Sequence, residues 1–170
     1  MSVHNRYKLI LAVYLMKRDF AFVLFEGALN PIEWRIAGRA GDERRLEVIA
    51  MLLNRYEPDV LVLQDTSWTG TRRSQRITNL NTAIFELAEK SDISVCAFSR
   101  VQVRAAFSHL ESPTRRAIAE AIAEHIAVFE GYLPPPRKPW ASEHSRMGIF
   151  DAAALALTFF QSISGGEQAA

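Results

Sequence analysis

The sequence predicts a mixed α/β domain, a five-stranded sheet with helices on both faces, in the order β-β-β-α-β-α-β-α-α. Three observations carry this. The chain opens with two apolar runs split by a polar pair, then an alternating run, which reads as three consecutive strands. From Gly41-Asp42 onward the apolar spacing becomes helical, and helical segments then alternate with short apolar ones. The run "DVLVLQD" at 59–65 is almost continuously apolar before its end, as a strand covered on both faces should be.

The elements follow in order. "YKLILAVYLMK" and "FAFVLFEG" flank Arg18-Asp19, a polar break suited to a hairpin. Asn30-Pro31 punctuates, and "IEWRIAG" sets Ile32, Trp34 and Ile36 against Glu33 and Arg35, which marks a half-exposed edge strand. Asp42 is the expected N-cap of a helix with Leu46, Ile49, Leu53 and Tyr56 on its apolar stripe, closed by Pro58. After the strand at 59–64, "TSWTGTRRSQRITN" is a polar, basic loop or frayed helix start, and "NTAIFELAEKSD" is a helix. "ISVCAFS" reads as a second buried strand. Ser112-Pro113, a cap and a first-turn proline, open a long helix. Its stripe is Ile118, Ala121, Ile122, His125, Ile126 and Phe129, with His125 read as a core histidine. "GYLPPPRKPWASEHS" is a rigid connector. The last helix, about 146 to 163, is apolar nearly all round, and the tail 164–170 is expected to be disordered. Residues 1–163 therefore form a single domain, without internal repeats.

Bulk properties narrow the partners. The 170 residues carry 20 Lys and Arg against 19 Asp and Glu, a net charge of +1. Any nucleic-acid contact must then come from local clusters rather than a global basic field. The single cysteine, Cys96, sits in an apolar run and reads as a core residue, so no intrachain disulfide forms. The apolar stretch Leu9 to Met16 is too short to span a bilayer and runs into Lys17-Arg18-Asp19 with no cleavage site. A cytoplasmic protein with no membrane partner is expected.

Four segments resemble the RuvC-type Holliday-junction resolvase family, which has an RNase H-like fold. "LILAVY" resembles the family's first strand and "PDVLVLQD" its fourth. "FSRVQVRAAFSHLESPTRR" resembles the block that carries its basic residues, and "GIFDAAALALTF" its final helix. The ungapped spacing from "QVR" to "SPTRR" is the most specific part. The resemblance spans roughly Leu9 to Phe160. It implies an RNase H-like domain and two-metal nuclease chemistry, in which four carboxylates hold two Mg²⁺ ions about 4 Å apart. Hard cations require such anionic oxygen ligands.

At the positions matching the family's four acids stand Tyr14, Gln64, Gly148 and Asp151. Only Asp151 is a carboxylate, so the expected metal set is none, and no cofactor is expected. Tyr14 is expected to fill the space that metals would occupy. A rebuilt site would draw on Asp65, His144 and Asp151, although Asp65 and Gln64 should face opposite ways on a regular strand. Mg²⁺ would be the cofactor in that case.

The positions resembling the family's DNA-contacting lysines remain basic: Arg104 and Arg115, with Arg116 beside it. The loop after the fourth strand adds Arg72, Arg73 and Arg76 beside Trp68, which could stack on an unpaired base. Each has a plainer reading. Loop arginines are commonly solvated charges, Trp68 can pack on a neighbour, and Asp151 can pair with an arginine. The leading expectation is a RuvC-like protein with a degenerate metal site that binds nucleic acid, branched DNA in particular, without catalysis. The resemblance also suggests a homodimer. The alternatives are an active metal-dependent endonuclease with a relocated site, a protein-interaction module, and an unrelated domain that mimics the element order.

Overall fold

The computed structural model describes residues 8–37, 39, 41–67 and 74–168. Its strands are β1 (Leu9–Leu15), β2 (Phe20–Glu26), β3 (Pro31–Ala37), β4 (Val60–Gln64) and β5 (Ser94–Phe98). Its helices are α1 (Asp42–Tyr56), α2 (Gln75–Lys90), α3 (Arg100–Ala106), α4 (Arg115–His125) and α5 (Met147–Gln168), with a 3-10 segment at Ala127–Tyr132. The strands form one sheet in the order β3-β2-β1-β4-β5. β1, β2 and β3 pair antiparallel, whereas β4 lies parallel to both β1 and β5. The predicted mixed five-stranded sheet is therefore present, with β3 at an edge.

The alternation of side chains along each strand splits the apolar residues between two cores. Ile10, Ala12, Val60 and Val62 pack with Ile118, Ile122, Phe150 and Ala153 of α4 and α5. Leu11, Val13, Leu61 and Leu63 pack with Ile49, Leu53, Leu80 and Ile84 of α1 and α2. Strands β1 and β4 are thus covered on both faces, which explains their unbroken apolar runs. α5 is apolar and long enough to cross a bilayer by length and composition, but 67% of that window is buried within the fold. Here it is the central core helix.

Several local readings need correction. β5 is the other edge strand and only partly buried, because no strand among the described residues pairs beyond it in the sheet. Cys96 is half-buried against the α5-side core, and burial pushes its thiol pKa up. A separate helix, α3, follows β5 directly: Ser99 and Gln102 form a reciprocal capping box that starts it. The cap of α4 is Thr114, whose side chain accepts from the Ala117 amide at 3.1 Å, rather than Ser112. α4 ends at His125, which is exposed, since the buried stripe runs through Ile118, Ala119, Ile122 and Ala123. α5 runs on to Gln168, into the segment expected to be disordered. Once a helix is nucleated, each further residue adds a hydrogen bond for one residue fixed.

Asp42 is the first helical residue of α1, and Gly41 is its cap, at a φ of 107° that favours glycine. Freed from capping, the Asp42 carboxylate bonds Arg76 at the start of α2, at 2.8 and 3.0 Å. It also lies 3.7 Å from Nε of Arg45, whose side chain is fully buried. Arg45 donates to the Met16 and Lys17 carbonyls at 2.8 and 2.7 Å, so it holds the β1-β2 turn against α1. Burial lowers its pKa, partly offset by Asp42.

Candidate functional site

The ends of β1 and β4, the start of α3 and the facing sides of α4 and α5 enclose a cleft of about 360 Å³. The parallel register, Ile10 against Val60 and Ala12 against Val62, carries Tyr14 and Gln64 to the same face at its floor. Asp65 lines the cleft as well. Strand β4 stops at Gln64, so strict alternation no longer governs the next residue. The Asp65 amide bonds the Phe98 carbonyl at 2.8 Å, and its carboxylate accepts from the amide and hydroxyl of Ser67 at 2.9 and 2.6 Å.

Asp151, on α5, faces Arg115, on α4. Nε of Arg115 donates to both carboxylate oxygens at 2.9 and 3.1 Å, and Nη2 also bonds Oδ2. Glu143 lies 3.4 Å from Nη1, and the guanidinium stands 6.0 Å from the Tyr14 ring centroid. Burial pulls the Arg115 pKa down, but the hydrogen bond and charge of Asp151 outweigh it, so the net shift is upward. The guanidinium is a fixed cation at this carboxylate.

Gly148 stands one turn before Asp151 and is buried. A Cβ there would meet Met16 Sδ at 2.5 Å and Ala21 Cβ at 3.1 Å. The space an acid would need at 148 is thus filled by Met16. His144 is exposed, away from the cleft lining, and its Nδ1 accepts from the Arg146 amide at 3.1 Å. Among the described residues no three His, Cys, Asp or Glu side chains are grouped so as to hold a metal. The set Asp65, His144 and Asp151 is not assembled. The donors present do not fit a pair of Mg²⁺ ions: Tyr14 and Gln64 are neutral, Gly148 has no donor, and Asp151 is engaged by a guanidinium.

The basic residues divide sharply. Arg104 is exposed on the cleft rim. Arg100, which sequence reasoning missed, stands four residues earlier on the same side of α3 and also lines the cleft. Its signal was the Ser99-x-x-Gln102 box, which starts a helix there. Arg116 bonds Glu120 at 2.8 Å and the Pro134 carbonyl, so it ties α4 to the connector. Arg76 is engaged by Asp42 and lies outside the cleft lining. Trp68, Arg72 and Arg73 lie outside the described residues.

No protein-family model and no curated protein sequence matches the chain. Solved structures do. RuvC of Thermus thermophilus matches with a TM-score of 0.62 at 14% identity, over 92% of this chain and 96% of that one. The same protein in complex with a Holliday junction substrate gives 0.63 at 16%, over 93% and 96%. The yeast mitochondrial Holliday junction resolvase gives 0.56 at 12%, over 92% and 79%. The chain therefore has the RuvC-like, RNase H-type fold that the strand and helix motifs predicted.

Proposed function

We propose that this protein binds branched nucleic acid through the α3 side of its cleft and does not cut it by the two-metal route. The fold supports the first half, since one of the similar structures holds a Holliday junction substrate. Arg100 and Arg104 supply exposed cations suited to backbone phosphates. The observation that carries the second half is the Arg115 guanidinium bonded to both oxygens of Asp151. A divalent ion at Asp151 would have to displace that cation, with too few neighbouring acids to compensate. A homodimer would present two such clefts to a four-way substrate.

One observation favours the rival reading of a rebuilt nuclease: Asp65 and Asp151 line the same cleft. A labelled four-way junction, incubated with Mg²⁺ or Mn²⁺ beside an Asp151→Asn control, separates the two. Salt-sensitive retention without cleavage supports the proposal. Cleavage that the control abolishes overturns it. Absence of retention at low salt removes the nucleic-acid role and leaves a protein-interaction module.

A further inference from the structure

The cleft has a composition that phosphate binding alone does not explain. Much of its wall is apolar, with Phe98, Ile118, Phe150 and Leu155 contributing. At its floor lies Gln64, a side chain with two donors and an acceptor. Among the described residues no hydrogen bond to that side-chain amide is found; Asn81 donates to the Gln64 backbone carbonyl at 2.8 Å. At its rim stand Arg100 and Arg104. Apolar walls, a few placed polar groups and a volume of about 360 Å³ match a small-ligand pocket rather than a surface for a duplex backbone.

We propose that the cleft holds one unpaired nucleotide. The inference rests on the nucleic-acid reading above and adds the unit that is recognised. The base lies among the apolar side chains, where aromatic rings such as Phe98 offer a stacking surface that water cannot match. The Gln64 amide meets the base edge. A glutamine amide, with donor and acceptor side by side, pairs in a bidentate manner with an adjacent donor and acceptor on an unpaired base edge, such as N6 and N7 of adenine or N4 and N3 of cytosine. The 5′-phosphate reaches the rim at Arg100 and Arg104. The Arg115–Asp151 pair is internally neutralised and so does not compete for that phosphate. Where a catalytic cleft would hold a phosphodiester between metals, this one holds a base.

The test is titration of the full chain with AMP and with ribose 5-phosphate in EDTA, read by side-chain and backbone chemical shifts. Saturable shifts at Gln64, Asp65 and Phe98 are expected, with AMP binding about tenfold tighter than ribose 5-phosphate. Gln64→Leu should narrow that gap by weakening AMP alone. Arg100→Ala with Arg104→Ala should weaken both ligands alike. Equal affinities in the unaltered protein, or no shifts in the cleft at millimolar AMP, overturn the inference. Four-way-junction retention by the same samples separates the two claims. Retention without nucleotide binding sinks this inference alone, and loss of both sinks the nucleic-acid reading as well.

Discussion

Arg115 and Asp151, 36 residues apart in sequence, meet with Nε of the arginine 2.9 and 3.1 Å from the two carboxylate oxygens. The aspartate is largely shielded and the arginine about one third exposed, so each charge depends on the other for solvation. Removing one partner leaves an uncompensated charge between α4 and α5. Asp151→Leu or Arg115→Met should each cost about 2 kcal/mol, and the pair Arg115→Met with Asp151→Leu should recover most of that loss. Urea unfolding of the three variants measures it; additive losses would mean that the pair does not act as a unit.

The donors that line the cleft predict no stabilisation by divalent cations. Mg²⁺ or Mn²⁺ at millimolar concentration should leave Tm unchanged, because binding to the native state alone would raise it. A reproducible, saturable rise would instead place a cation at Asp65 or Asp151.

Met16 and Gly148 form a steric pair. A side chain at 148 collides with Met16 Sδ and crowds Ala21. Gly148→Ala should therefore cost about 1 kcal/mol despite the gain in helix propensity, and Met16→Ala in the same chain should remove that penalty. Thermal unfolding of the four-member cycle reads it. A stabilising Gly148→Ala on its own would show that Met16 moves freely aside.

The arginines should separate by availability. Arg100→Ala and Arg104→Ala should each weaken junction retention and flatten its salt dependence by about one unit of slope, as expected for one phosphate contact apiece. Arg76→Ala should leave retention nearly unchanged, since its guanidinium is committed to Asp42. Fluorescence anisotropy between 50 and 200 mM salt, a range over which phosphate contacts lose roughly 10³ or more in affinity for the larger footprints, distinguishes them.

The cluster of Arg76, Asp42 and Arg45 makes a pH-dependent contribution to stability. The Arg76 hydrogen bond holds the Asp42 pKa below its ordinary value of 3.8. A group depressed in the folded state stabilises above its unfolded pKa, and that support fades as pH falls through the lower folded value. Asp42→Asn should thus cost stability at pH 6 and cost progressively less below about pH 4. Arg45→Met should lose about 3 kcal/mol at either pH, because the Met16 and Lys17 carbonyls would lose the buried guanidinium that donates to both.

The sheet was legible because its signals are periodic. The apolar runs of β1 and β4 and the alternation of β3 each reflect how many faces are covered. The absence of acids at positions 14, 64 and 148 was equally legible, being a matter of residue identity. The packing around those positions was not. Met16 occupies the space beside Gly148 through a contact across 132 positions of sequence, and no local pattern encodes it. The side on which Asp65 falls depended on where β4 ends, which one sequence does not reveal. Arg45 was half visible: it precedes Ile49 by one turn on the buried stripe of α1, yet its charge argued for solvent. Arg100 was recoverable from the capping box, a local signal that starts a helix directly after β5.

The sheet order also governs how the chain must be made. β1 bonds β2 as soon as the hairpin leaves the ribosome, but its other edge is meant for β4, which begins only at Val60. At about 5–20 residues per second, several seconds pass in which a strand of almost wholly apolar residues offers bare amides and carbonyls to any neighbour. The β1-β2-β3 meander is complete in that interval, and α1 emerges in time to cover one face through Arg45 and Ile49. The nascent chain is thus most vulnerable to sticking while residues 37 to 60 are being added, and the free edge of β1 is where a chaperone would bind.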